Sequence, residues 1–383
     1  MKKSIKLMAA AMSAAMVMAS LGGCASKPAT ETTTAAAAGE STAEKAEATT
    51  AAAGEETTAA AMEGEVLHID VIAKGFQHQF WKAVEMGSMK AAEEFKAEVT
   101  FQGPDSESNI AQQIEYLDAA IANKPAAICL AALDTEASLT SIQSAQDAGI
   151  PIIGFDSGVP NAPEGAIKAN ASTDNTAAGE LAAVELHKLI KDKIESATEP
   201  VRIGVVAQES NSQSITSRTK GFVDKMTELI GADMVSIEGH DSLKNEKSGA
   251  KVILEVGIPA EVKDADGAAV ASAILEKSDL IAIYGSNEFA ANAIITANEG
   301  LDKLGADKII AVGFDAGTKQ LDAIRSGIFA GSITQDPVKI GYEAVRLAVA
   351  AAKGEKVEDV DTGALWYTSE NMEDPAIAPC LYE

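Results

Sequence analysis

Ile150-Pro151-Ile152-Ile153-Gly154-Phe155-Asp156-Ser157-Gly158 is a short apolar run that ends in a carboxylate and a glycine. Apolar residues in succession, without alternation, mark a strand buried on both faces, as parallel sheets covered by helices require. The same form recurs at 67–73, 127–133, 201–207, 280–285 and 308–314. Amphipathic stretches of helical period lie between the runs, at 80–95, 110–122, 139–148, 176–190, 220–230, 289–298 and 318–326. Gly149 and Gly300 stand where two of these helices are expected to stop. Strand–helix alternation at this spacing predicts α/β units with right-handed crossovers. The strands outnumber what one small sheet would use, so two α/β lobes with parallel sheets are expected. The stretch 242–266 yields no element assignment.

In open parallel sheets, ligands bind beyond the carboxyl ends of the strands. Lys74-Gly75-Phe76-Gln77-His78-Gln79-Phe80-Trp81 follows the first run, and Asp156-Ser157-Gly158 follows the run at 150. Gln208-Glu209-Ser210 comes after 207, with Arg218 further on; Ser286-Asn287-Glu288 and Asp315-Ala316-Gly317 follow the next two runs. These ends carry carboxylates, amides, one guanidinium and two adjacent aromatics, with no metal or phosphate signature. Aromatic faces stack on the C–H faces of a sugar, while hydroxyls need several fixed donors and acceptors, so the set suits a neutral polyol.

Plainer roles are open for each residue. Phe80 or Trp81 could be core residues at a helix start, although two adjacent aromatics are not expected to face one core. Asp156 and Asp315 could be caps or turn residues, Arg218 a surface ion pair, and Asn287 a helix cap. Asp174 is read as a cap or hinge. His68, His187 and His240 are isolated and are read as structural or surface residues. Asp264-Ala265-Asp266-Gly267 resembles a calcium loop, but Val262 stands where the EF-hand pattern needs an Asp.

The 383-residue chain has net charge −26 and a pI of about 4.5. Such a chain is repelled by nucleic acid and anionic lipid, so no nucleic-acid partner is expected. Of its three cysteines, Cys129 lies in the apolar run Ala126-Ala127-Ile128-Cys129-Leu130 and reads as a buried thiol. Pairing of Cys129 with Cys380 is left open. Lys2, Lys3 and Lys6 precede an apolar run at 7–21 that is too short to span a bilayer. Leu21-Gly22-Gly23-Cys24 closes the segment and resembles the lipobox of bacterial lipoproteins. That resemblance implies cleavage after residue 23 and a diacylglycerol on Cys24. Residues 25–63 are almost all Ala, Thr, Glu, Ser and Gly, too few large apolar side chains to offset chain entropy. They read as a solvated tether leading to a folded body from Val66.

From Val66 to near the C-terminus the chain resembles the ribose-type periplasmic binding proteins, the type I solute receptors of sugar ABC importers. The resemblance rests on motifs in order: Phe80-Trp81; Ile152-Ile153-Gly154-Phe155-Asp156; Ser172-Thr173-Asp174-Asn175 with Gly179; Arg218 before Gly221-Phe222; Asn287-Glu288; Val312-Gly313-Phe314-Asp315; and Gln335-Asp336-Pro337 with Gly341. It implies two Rossmann-like lobes joined by three hinge crossings near Asp174, Gln335 and Ala364. The expected domains are a signal peptide at 1–23, the lipidated tether at 24–65, an N-terminal lobe at 66–173 and 336–364, and a C-terminal lobe at 174–335 and 365–383.

By the same resemblance, Phe80 and Trp81 stack on the sugar, and Asp156, Arg218, Asn287, Asp315 and Gln335 bond to hydroxyls or the ring oxygen. His78 stands where ribose receptors carry a ligand-binding Asn. Lys74 sits at a point where receptors for furanosyl autoinducers place a ligand-contacting Lys. The chain departs from the ribose receptors, which have Asn-Pro-Phe-Phe at His78-Gln79-Phe80-Trp81 and Asp-Arg at Asp156-Ser157, so a reshaped pocket is expected. The leading expectation is a lipid-anchored, monomeric receptor on the extracytoplasmic face of the membrane, at a Gram-positive cell surface or in a Gram-negative periplasm, with a sugar ligand, an ABC permease as partner and no cofactor or metal. A furanosyl or sugar-sensing receptor is one alternative. The other is an extracellular carbohydrate-active enzyme, which would need two carboxylates roughly 5 to 9.5 Å apart. The export signal and the missing DNA-binding headpiece exclude a repressor core of similar fold.

Overall fold

The computed structural model describes residues 66–76 and 78–382. The signal, the tether and Cys24 lie outside the described residues. In chain order the first part runs β1 (His68–Ile72), α1 (Gln79–Phe95), β2 (Glu98–Gln102), α2 (Ile110–Asn123), β3 (Ala127–Leu130), α3 (Leu139–Asp147), β4 (Ile152–Phe155) and β5 (Ile167–Ser172). Then come α4 (Asn175–Ser196), β6 (Val201–Val206), α5 (Gln213–Ile230), β7 (Val235–Glu238), β8 (Val252–Gly257), α6 (Asp264–Leu275), β9 (Leu280–Gly285), α7 (Glu288–Leu301), β10 (Ile310–Phe314), α8 (Thr318–Arg325) and β11 (Gly331–Gln335). The chain closes with α9 (Pro337–Ala352), β12 (Val360–Asp361) and β13 (Ala364–Tyr367).

These strands form two sheets, ordered β12-β5-β4-β3-β1-β2 and β13-β11-β10-β9-β6-β8-β7. Every pairing is parallel except β11 with β13. The chain therefore passes between the sheets after β5, after β11 and after β12. Ser172-Thr173-Asp174 makes the first passage, and Asp174 caps α4 by accepting from the Ala177 N–H at 3.0 Å. Asp336 caps α9 in the same way, accepting from Lys339 N–H at 2.9 Å, with Pro337 at the first helical position.

Each sheet is buried on both faces. Ile69, Val71, Ala127, Cys129 and Ile153 meet α1 and α9 on one face of the first sheet, and Ile72, Ile128, Leu130 and Ile152 meet α2 and α3 on the other. The second sheet has the same two-sided core. Two pairs of helices cross with their backbones in contact. A Cβ on Gly179 of α4 or Gly221 of α5 would overlap the facing Arg218 and Thr176 carbonyls, and Gly87 of α1 and Gly341 of α9 face the Val338 and Val84 carbonyls likewise.

The stretch 242–266 resolves into a turn, a strand and a helix start. Asn245 bridges back to Ile237, β8 follows, and Asp264-Ala265-Asp266 is the first turn of α6, where acidic residues complement the helix dipole. Gly300 does not stop a helix: α7 runs through it, and Asp302 ends the helix with φ 46°. Cys129 and Cys380 are both free thiols. Burial raises both, that of Cys380 to about 11. Among the described residues, no helix is long and apolar enough to cross a membrane.

Candidate functional site

All nine residues singled out beyond the strand ends line one cavity between the two sheets: Lys74, His78, Phe80, Trp81, Asp156, Arg218, Asn287, Asp315 and Gln335. The fold delivers them from both sides. Lys74 follows β1, Asp156 directly follows β4, and His78 is the N-cap residue of α1, whose first turn carries Phe80 and Trp81. Asp315 directly follows β10, Gln335 ends β11, Asn287 caps α7, and Arg218 lies on α5 one turn after Ser214, on the same helix face.

Asp156 and Asp315 stand at φ 53° and 72°. This left-handed region is one that Asp enters more readily than most residues. Each then donates its backbone N–H to the neighbouring strand, Asp156 to Ala171 O at 3.1 Å and Asp315 to Ile333 O at 2.6 Å. The chain turns at the strand end and both carboxylates remain at the cavity.

Arg218 is almost wholly buried. Asn175 Oδ1 accepts from its Nε at 3.2 Å and its Nη2 at 2.6 Å, and Ser286 O accepts from Nη1 at 2.9 Å. The guanidinium carbon lies 3.5 Å from the centroid of the Phe314 ring, and Nη1 is 3.8 Å from Asp315 Oδ2. Asp315 in turn accepts from Gln335 Nε2 at 2.6 Å and from the Glu288 N–H at 3.1 Å. Asn287 combines two roles: Oδ1 caps α7 at Ala290 N–H, 3.0 Å, and Nδ2 donates to Gln208 Oε1 at 2.6 Å. Burial raises Asp156 to about 6, against the pull of Lys74 and Arg218.

The adjacent aromatics correct an expectation. Phe80 and Trp81 both belong to the core on the α1 face of the first sheet and both line the cavity. Their rings meet edge to face, centroids 5.0 Å apart and planes at 85°. A helix start lets successive side chains splay around a corner between core and cleft, so the two do not compete for one face.

Three lining residues escaped the sequence reading, Glu107, Ser214 and Ile215, and a fourth, Glu288, was read at a strand end without a role of its own. Glu107 lies in a polar loop after the edge strand β2, which has no long apolar run. Ser214 belongs to α5, which begins at Gln213, earlier than its apolar period announced. Glu288 was legible only as the neighbour of Asn287.

The cavity is ringed by contacts between the two halves. The Phe80 N–H donates to Glu288 Oε2 at 3.3 Å, Thr318 N–H to Gln79 Oε1 at 2.9 Å, Gly158 N–H to Gln213 Oε1 at 2.8 Å and Ser214 N–H to Ser157 Oγ at 3.3 Å. Burial and then the neighbouring Asp315 raise Glu288 to about 8. A raised carboxyl favours the folded, closed form when protonated. Its contribution is complete below about 4.5, its ordinary value, and is lost as pH rises through about 8. Melting temperature is therefore expected to fall between pH 5 and 8 in roughly this window. Glu288→Gln should flatten that part of the profile; an unchanged slope in the variant would refute the assignment.

Residues 69–356 match the family model described as a periplasmic binding protein domain. The chain is 24% identical over 280 residues to the ribose import binding protein RbsB of Haemophilus influenzae, covering 73% of this chain and 83% of that protein. Its structure is similar, at TM-score 0.70 and 28% identity, to an ABC transporter solute binding protein from Agrobacterium vitis with bound D-fucose, covering 82% of this chain and 100% of that one. A Brachyspira murdochii protein described as an ABC transporter, LacI family transcriptional regulator, is similar at TM-score 0.70 and 38% identity, covering 83% and 99%.

Proposed function

The chain belongs to the periplasmic binding protein domain family, and from that membership we propose that it captures a monosaccharide or related polyol between its two lobes and delivers it to the permease of an ABC importer. The observation that carries this reading is the convergence of nine aromatic, charged and amide side chains from both lobes on one small cavity. Two of their polar atoms, His78 Nε2 and Gln335 Oε1, are buried without a hydrogen-bond partner among the described residues. Buried polar atoms need partners, and hydroxyls of a bound polyol supply them. Trp81 and Phe80 offer apolar surface for the ring, and Asp156, Asp315, Arg218 and Asn287 offer acceptors and donors around it.

Lobe motion would occur about the three passages near Asp174, Gln335 and Ala364, dividing the body at 66–173 with 336–364 and 174–335 with 365–383. Closure of this kind buries a ligand at hinges of a few residues. The acidic tether and a lipid on Cys24 would hold the receptor at the outer face of the membrane, raising its effective concentration near the permease. The relatives are binding proteins rather than enzymes, and the cleft is read as one that binds without turnover.

Melting the purified protein against a panel of pentoses, hexoses, alditols and furanosyl diols tests the reading. A ligand at 100 times its Kd adds about 2.7 kcal/mol, a rise of roughly 5 to 10 °C for lobes of this size. One chemical class is expected to give that shift. No shift with any member would overturn the proposal, and a shift with furanosyl diols alone would favour the signal-receptor alternative, which the place of Lys74 at the cavity supports.

A further inference from the structure

Glu107 lies in the loop between β2 and α2, among Pro104, Asp105, Ser106 and Ser108. A loop carboxylate is ordinarily solvated, yet this one is 5% exposed. Burying a carboxylate costs several kcal/mol unless it is paired and hydrogen-bonded. Here the Trp81 Nε1–H donates to Oε1 at 2.7 Å, and Gln208 Nε2 donates to Oε2 at 2.8 Å. Lys74 Nζ lies 3.9 Å from Oε2, and His78 Nε2 lies 3.8 Å from Oε1. Against the cost of burial, these partners hold its carboxyl below the usual range.

These four groups do not come from one side. Lys74, His78 and Trp81 belong to the first lobe, whereas Gln208 follows β6 of the second. Gln208 Oε1 accepts from Asn287 Nδ2 at 2.6 Å. A continuous run of side-chain hydrogen bonds, Trp81–Glu107–Gln208–Asn287, therefore crosses the cleft beside the cavity. Parting the lobes would break it at Glu107–Gln208, leaving the buried carboxylate short of one donor.

We propose that Glu107 is the positioning residue of this cleft: it fixes the Trp81 indole and ties it through Gln208 to Asn287, so that placing the stacking ring and closing the lobes are one event. The inference rests on the sugar-capture reading, but part of its test does not.

The test uses the full protein with Trp366→Phe, which leaves Trp81 as the only tryptophan, since the chain has two. In this background Glu107→Gln is expected to shift the ligand-free emission of Trp81 by removing the anionic acceptor of its N–H. Both Glu107→Gln and Gln208→Ala are expected to weaken the sugar that shifts melting by 10- to 100-fold. Gln208→Ala acts from the opposite lobe and leaves the Glu107 pocket in its own lobe intact, so it serves if Glu107→Gln folds poorly. Because the two residues share one hydrogen bond, the double variant should lose less than the product of the single losses.

Wild-type affinity in both single variants, or losses that multiply, would overturn the inference while leaving sugar capture standing. If the unsubstituted protein takes no sugar, the capture reading falls alone; the emission of Trp81 then decides, and an unchanged spectrum in Glu107→Gln overturns the positioning role.

Discussion

Arg218→Met is expected to abolish ligand binding and to lower the melting temperature by on the order of 10 °C, from a loss of about 3–5 kcal/mol. The side chain fills buried volume on α5, and Met replaces most of that volume without its charge. What is lost is electrostatic and directional. Asn175 Oδ1 and Ser286 O lose their donors, the Phe314 ring loses its cation, and Asp315 loses the guanidinium 3.8 Å away. Asp156, already raised to about 6 by burial, loses one of the two cations that hold it down. Arg218→Lys keeps a charge but not the planar fork that reaches Asn175 and Ser286 together. It should recover part of the stability and little of the binding. Calorimetric titration and scanning of the three proteins check this. Binding by Arg218→Met within a few-fold of wild type would refute the central place given to the guanidinium.

Gly179→Ala should reverse the usual effect of its substitution type. In an exposed helix interior, Gly→Ala stabilises by about 1 kcal/mol. At 179 the new methyl would enter the Arg218 carbonyl, because α4 and α5 cross there with backbones touching. The helices must separate, at a cost of about 1–3 kcal/mol or more. The residue displaced first is Arg218, so ligand affinity should fall together with stability. Gly300→Ala provides the control: it is exposed, lies within α7 and has open space around its Cβ position. It should raise stability by about 0.5–1 kcal/mol. Chemical unfolding of both variants reads the contrast, and a Gly179→Ala protein as stable as wild type would refute the close crossing.

The strands legible in the sequence were those buried on both faces, such as β4, β6 and β10, because continuous Ile and Val leave no other reading. Those that were not legible lacked that signature for distinct reasons. β2 is an edge strand, half exposed along its length. β8 alternates buried and part-buried residues. β11 is fully buried but reads Gly-Ser-Ile-Thr-Gln. Its polar groups are satisfied internally: Ser332 Oγ donates to Asp315 O at 2.9 Å and Thr334 Oγ1 to Cys380 O at 2.8 Å. Hydropathy cannot register a strand stabilised in this way.

The cavity was legible in its strand-end residues because strand ends can be read from the strands. Glu107 was not, because nothing local marks a loop carboxylate as buried. Its burial depends on Trp81, Lys74 and His78, which precede it, and on Gln208, about a hundred residues later. Asn287 shows why the plain and functional readings need not exclude each other, since one amide oxygen caps a helix while the amide nitrogen faces Gln208.

The late position of α9 has a consequence for how the polypeptide acquires its shape. Ile340, Ala344, Val345, Leu347 and Ala348 cover one face of the first sheet, beside Ile69, Val71, Ala127, Cys129 and Ile153. Those strands are synthesised far earlier than the helix that shields them, with the whole second sheet except β13 in between. During vectorial synthesis the early half must wait with that face covered by α1 alone, while β6 to β11 can assemble before α9 arrives. Contacts of such long sequence separation slow folding. The amino-terminal half is therefore expected to be the last to become fully native.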